Sequence, residues 1–132
     1  MTTNSDLIAT VIDDMFFNSK INGAAAEGGR RIERIKSMQQ LEGLSENPPA
    51  LILIDLNSDR LDPIGTIEFL KSRPALRSIP IVSFVSHVQT DLINAARNAE
   101  CDYVLPRSAF TQSLPEIITG NFGSLARYAR ES

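Results

Sequence analysis

The chain has one cysteine, Cys101, among its 132 residues. A lone thiol excludes an internal disulfide and any metal site built from several thiolates, and as a small apolar side chain it needs no role beyond the core. Long hydrophobic runs are missing too: none approaches the length that crosses a bilayer. The start, Met1-Thr2-Thr3-Asn4-Ser5-Asp6, lacks the basic flank and apolar core of a signal peptide. A cytoplasmic location with no membrane partner is expected. No basic excess exists, since the net charge is -3 and the pI near 5.1, so direct nucleic-acid binding is not expected. No glycine-rich phosphate loop follows an apolar run, and neither a Ser-His-Asp arrangement nor a metal-ligand spacing stands out, which argues against a small nucleotide-binding or hydrolytic enzyme. Repeats, low-complexity stretches and linkers are absent as well. A 14.5 kDa chain with 42% hydrophobic and 22% charged residues has ordinary globular composition, and a single domain over 1–132 is expected. Arg127, Arg130, Glu131 and Ser132 follow the last helical pattern directly, so no output domain is expected within this sequence.

What is present is a regular alternation. Leu7 to Ile12, Ala50 to Asp55, Ile79 to Val85 and Asp102 to Leu105 are short apolar runs bounded by polar or turn residues, and each predicts a strand. Arg30 to Ile35 carries β-branched residues without clean alternation and predicts an edge strand. Helices are predicted between them. Phe17, Ile21, Ala24 and Ala25 form a stripe that Gly28-Gly29 terminates, and Ser37-Met38-Gln39-Gln40 resembles a capping box ahead of Leu41 and Leu44. Pro63 opens a helix with Ile64, Ile67 and Leu70 on one face, while Leu92, Ala95, Ala96 and Ala99 line another. Ser113-Leu114-Pro115-Glu116 matches a second capping box, leading a final helix whose face is Leu114, Ile117, Ile118, Phe122 and Leu125. Five β-α repeats predict an α/β fold, with a parallel sheet covered by helices on both faces.

The run Leu51-Ile52-Leu53-Ile54-Asp55-Leu56-Asn57 sharpens this. Four aliphatic residues read as a strand buried on both faces, and they deliver one carboxylate to the C-terminal edge where such sheets bind ligands. Asp13-Asp14 end a neighbouring apolar run, so parallel strands bring three acids to one edge. Gathered carboxylates repel one another unless a cation compensates, and a hard divalent ion such as Mg2+ held by oxygens is one solution. Such an ion also neutralises a phosphoryl group arriving at a carboxylate nucleophile. The plainer alternative is that Asp13 and Asp14 cap the first helix and Asp55 begins a turn.

Val11-Ile12-Asp13-Asp14, Leu53-Ile54-Asp55-Leu56-Asn57 and Asp102-Tyr103-Val104 together resemble the receiver domains of two-component response regulators, over essentially the whole chain. The resemblance implies a three-layer, flavodoxin-like (βα)5 fold with strand order 2-1-3-4-5. It implies Asp55 as phosphoacceptor and Asp13, Asp14, Asp55 and the backbone carbonyl of Asn57 as Mg2+ ligands. Tyr103 falls where the family often has an aromatic residue whose rotation reports phosphorylation; a half-buried strand tyrosine is the alternative. The implied partners are a histidine kinase or phosphotransfer protein, a downstream effector, and a second copy of the chain through the last helix and its neighbouring strand. Beyond self-phosphorylation from such a kinase or a small phosphodonor, no enzyme activity is implied.

Three positions depart from the family pattern. Pro106 stands where receivers have a lysine, with Arg107 one step later, and Val85 stands where they have a threonine or serine, with Ser86 one step later. Asp62-Pro63-Ile64-Gly65 replaces a loop in which glycine directly follows aspartate. Fixed donors must bind the phosphorylated state better than the resting one if the switch is to work, so fewer donors predict weaker switching. Arg107 offers charge in the lysine's place, but its planar fork differs in reach and direction. His87, the only histidine, is expected in a loop near the same edge. Two functions follow: a receiver-like signalling domain of a phosphorelay with weakened switching, or a phosphorylation-independent pseudo-receiver acting as a protein-protein interaction module.

Overall fold

The computed structural model describes residues 4–86 and 89–130. Five parallel strands, β1 (Asn4–Val11), β2 (Arg31–Arg34), β3 (Pro49–Asp55), β4 (Ile81–Val85) and β5 (Tyr103–Pro106), form one sheet in the order β2-β1-β3-β4-β5. Helices α1 (Met15–Glu27), α2 (Met38–Gly43), α3 (Pro63–Ser72), α4 (Thr90–Asn98), α5 (Arg107–Gln112) and α6 (Leu114–Ile118) lie between or after them. The predicted fold and strand order are those observed. None of these helices is long and apolar enough to cross a membrane.

Side chains alternate across a strand, so β3 feeds two cores at once. Ile52 and Ile54 pack with Leu41, Ile67, Leu70 and Ala96 beneath α2, α3 and α4. Leu51 and Leu53 pack with Phe17, Ile21, Phe110 and Ile117 beneath α1, α5 and α6. That double burial is why the sequence shows a continuous aliphatic run there. β4 begins later than predicted, at Ile81, because Pro80 has no N–H to give the ladder; its carbonyl still accepts from Ile52 N–H at 3.0 Å. β5 begins after Asp102, whose carboxylate leaves the strand to accept from Ile81 N–H and Lys71 Nζ, both at 2.9 Å.

Helix ends follow local chemistry. The first stop is as predicted: Gly29 takes a φ of 71°, and Arg30 N–H reaches back to Ala25 O at 2.8 Å. Ser37 Oγ accepts from Gln40 N–H at 3.2 Å, but the glutamine side chain returns to Lys36 N–H, not to Ser37, so the capping box is displaced by one residue. The predicted final helix differs most. Ser113 makes no side-chain cap bond, a short helix that was not predicted, α5, precedes it, and the predicted segment itself divides into α6 and a 3-10 turn at Gly123–Tyr128. Gly120, at a φ of 83°, closes α6 with Asn121 N–H bonded to Glu116 O at 2.9 Å and turns the chain away. Leu125 still reaches the core, Phe122 packs at a tilt against Tyr103 with ring centroids 5.3 Å apart, and Ala129 forms an antiparallel bridge to Tyr103. Arg130 N–H adds a 2.8 Å bond to Asp102 O. The outer edge of β5 is thereby covered by the chain's own later residues.

Cys101 is fully buried, as expected, with burial pushing its thiol up to about 11. Among the described residues, two buried side-chain atoms have no hydrogen-bond partner: Arg34 Nε and the hydroxyl of Thr10, in β1. An unpaired buried hydroxyl bears its desolvation cost without return. Thr10→Val is therefore expected to raise stability by about 1 kcal/mol, read as a higher urea midpoint at unchanged slope. A loss of stability would mean that the hydroxyl is satisfied in solution.

Candidate functional site

β1 pairs with both β2 and β3, and the helices that follow β1 and β3, α1 and α3, pack on opposite faces of the sheet, so a crevice opens at the C-terminal ends of β1 and β3. The register aligns Val11 with Ile54, which sets Asp55 beside Ile12 and Asp13-Asp14 just beyond. Asp13, Asp14 and Asp55 are thus brought to one edge.

Asp55 is the buried member, with 9% of its surface exposed. Its carboxylate accepts a 2.9 Å bond from Asn57 N–H. Burial holds its pKa above the ordinary carboxylate value; the Asn57 bond and the Arg107 charge pull it down, while Asp14 and Asp13 push it further up. Asp13 is held differently. Burial alone would raise its pKa, but Ser58 Oγ (2.8 Å), Arg60 N–H (3.2 Å) and Asp59 N–H (3.1 Å) all donate to its Oδ2, and Arg60 adds its charge, so the net shift is downward. Arg60 Nε lies 3.6 Å from Asp13 Oδ1.

Asp14 performs the plainer role considered above: its Oδ1 caps α1, accepting from Phe16 N–H at 2.8 Å and Phe17 N–H at 3.3 Å. Its Oδ2 accepts from Arg107 at 2.9 Å. Arg107, the first residue of α5, also lies over the Phe17 ring, 4.3 Å from its centroid. Asn57 points its amide elsewhere, donating to Gln89 Oε1 and accepting from Ser86 N–H, both at 2.9 Å, and so joins the loops after β3 and β4.

The remaining candidate positions divide. Val85 is buried and pairs with Pro106, itself exposed as the residue before α5, so neither provides a polar donor at the edge. Ser86 lines an open groove with Phe16, Phe17, Lys20, Arg107 and Thr111. Tyr103 is aligned with Val82, three residues short of Pro106, and packs on Phe122. Asp62 and Pro63 start α3, where Gly65 leaves room for the Asp62 carboxylate; a Cβ there would stand 2.8 Å from Asp62 Oδ2. His87 lies outside the described residues. Sequence reasoning missed Ser58, Asp59 and Arg60; the polar run directly after the acceptor strand was the available signal.

The donors at this edge are oxygens, which suits a hard divalent ion. Their arrangement suits it less: among the described residues, no three His, Cys, Asp or Glu side chains are grouped so as to hold one. Asp13 Oδ2 and both Asp14 oxygens accept hydrogen bonds from the protein, and Asp13 Oδ1 faces Arg60 at 3.6 Å, so an ion here competes with Arg60 and Arg107 for these oxygens.

No protein-family model matches the sequence. No curated protein matches it either. The structure, however, is similar to solved receiver domains. A response-regulator receiver domain from Bermanella marisrubri superposes with a TM-score of 0.73 at 20% identity, covering 91% of this chain and 100% of that one. The phosphorylated cyanobacterial phytochrome response regulator RcpA gives 0.72 at 22% identity over 95% and 96% of the two chains. The Mn(2+)-bound response regulator Rcp1 gives 0.68 at 20% identity over 96% and 99%. The fold is that of receiver domains.

Proposed function

We propose that this chain is a receiver-like signalling domain of a two-component phosphorelay, with Asp55 as the phosphoryl acceptor and a weakened switch. The observation that carries this reading is the single buried carboxylate at the C-terminal end of β3, flanked by two further acids on a receiver fold. In the transfer, an Asp55 carboxylate oxygen forms the new O–P bond as the P–N bond of a phosphohistidine breaks, and the leaving imidazole takes up a proton. The similarity to a phosphorylated and to a Mn(2+)-bound relative supports both the acceptor role and a divalent ion, Mg2+ by preference, held by Asp13, Asp14, Asp55 and the Asn57 carbonyl. That ion would supply charge neutralisation during transfer.

The chain's own contribution is positional. The Asn57 N–H fixes one Asp55 oxygen, and Arg107 offers the nearby positive charge. Phosphorylation adds about two negative charges, yet Val85 has no hydroxyl and Pro106 no amine to follow them. The Tyr103 ring is packed on Phe122, which opposes its rotation. Switching is accordingly weak.

A histidine kinase or phosphotransfer protein would dock over exposed Met15 and Phe16, beside the open groove, and an effector would read the result. A homodimer would have to avoid the outer edge of β5, already covered by residues 122–130. The second reading, a phosphorylation-independent interaction module, is favoured by the engagement of Asp13 and Asp14 with arginines. Incubation with a small phosphodonor and Mg2+ followed by intact-mass measurement separates the two. A gain of one phosphoryl mass that disappears in Asp55→Asn supports the acceptor; an unchanged mass in excess donor leaves the interaction module.

A further inference from the structure

We infer that Arg60 and Arg107 are tethered counter-cations that occupy the acidic edge and set how tightly it takes a divalent ion. The inference rests on the reading of this edge as an ion pocket, and it concerns the regulation of that pocket by residues of the chain itself.

The two arginines arrive from different parts of the fold. Arg60 lies in the loop after β3, and Arg107 opens α5 after β5. Each takes one member of the acidic pair. Arg107 meets Asp14 Oδ2 at 2.9 Å while its guanidinium is seated over Phe17; Arg60 lies 3.6 Å from Asp13 Oδ1 while its own N–H bonds Asp13 Oδ2. Each is therefore held by a second contact besides its ion pair, Arg107 by the Phe17 ring and Arg60 by its own backbone N–H. Asp55 has no ion pair with either guanidinium: its carboxylate takes the Asn57 N–H, and Arg107 acts on it only as a nearby charge.

A hard divalent ion needs bare oxygen ligands, so entry into this pocket requires Asp13 and Asp14 to exchange guanidinium for metal. The arginines cannot diffuse away. They remain at high effective concentration beside their carboxylates, and ion binding is a competition rather than the filling of a vacancy. Exposed pairs of this kind are individually weak, so the competition lowers affinity without abolishing it. The same residues would reduce the loss of stability that three gathered carboxylates cause when no ion is bound.

The test reads ion binding alone. Mn2+ titrations followed by the electron paramagnetic resonance of the free ion compare the intact chain with Arg60→Gln, Arg107→Met and the double variant; methionine retains apolar packing over Phe17. The double variant is expected to bind Mn2+ about tenfold more tightly, or about 1.4 kcal/mol, with each single variant intermediate. Adding Asp14→Asn to the double variant should remove the gain. Far-UV circular dichroism verifies that each variant folds, and the two single variants carry the test if the double one does not. Unchanged or weaker binding on removing the arginines overturns the inference. Phosphoryl transfer is scored separately by mass, so a chain that gains Mn2+ affinity but never accepts a phosphoryl group refutes the acceptor reading and leaves the competition standing.

Discussion

Asp55→Asn is expected to melt a few degrees above the unaltered protein at neutral pH while losing all capacity for a phosphoryl adduct. The argument runs from burial. Asp55 is held in a pocket that favours its neutral form, so its pKa lies above the ordinary value of 3.8 in the folded chain. For an acid shifted in that direction, the folded state binds the proton more tightly than the unfolded state. Stability is then greatest below the unfolded pKa and declines as pH rises from about 3.8 through the folded value. Asparagine has no such penalty, and its carbonyl oxygen can still accept from Asn57 N–H. The difference in melting temperature should vanish at acid pH, open through that window and level off above it. Asp13 acts in the opposite sense: its lowered pKa contributes stability above 3.8 that is lost as pH falls through its folded value. An Asp55→Asn variant less stable than the parent at neutral pH would mean that this carboxylate serves the fold, and the case for a functional cost at this position would fail.

That cost was legible in the sequence because few structural needs place an acid at the end of an aliphatic run. Leu51 to Ile54 announce a strand buried on both faces, and alternation with helical stripes leaves little freedom in how the strands connect. The convergence of Asp13, Asp14 and Asp55 follows from that topology alone. What the acids touch does not. Ser58, Asp59 and Arg60 fold back on Asp13 through one hydroxyl and two backbone N–H groups, and loop conformation of this kind leaves no periodic trace. Arg107 was visible as a displaced positive charge, but its seat on Phe17 depends on where α1 and α5 meet in space. The final segment was misread for a local reason. Leu114, Ile117, Ile118, Phe122 and Leu125 keep helical spacing, yet Gly120 in a left-handed conformation ends α6 between them, and the last two reach the core from a separate turn.

Phe84→Ala is expected to cost about 3–5 kcal/mol, a large part of the roughly 5–15 kcal/mol that holds a domain of this size together. Phe84 is the register partner of Asp55 on the neighbouring strand, and its side chain is 1% exposed. Its ring lies between two others, 4.9 Å from Phe17 and 4.4 Å from Phe110. Phe17 belongs to the first turn of α1, directly behind the acidic pair, and Phe110 to α5, one turn after Arg107. The three rings thus form the floor on which Asp14 and Arg107 are fixed relative to Asp55. Truncation removes both ring contacts and leaves a cavity that strands and helices on two sides cannot jointly collapse. Phe84→Leu refills most of that volume and should cost only about 1 kcal/mol. Urea unfolding of the two variants measures the difference directly, and the alanine variant should also lose Arg107 from its seat on Phe17, seen as weakened coupling between Arg107→Met and Asp14→Asn in a double-mutant cycle. If alanine and leucine cost the same, the aromatic stack does not support the pocket, and the arrangement of Asp14 and Arg107 must be set by the helix cap alone.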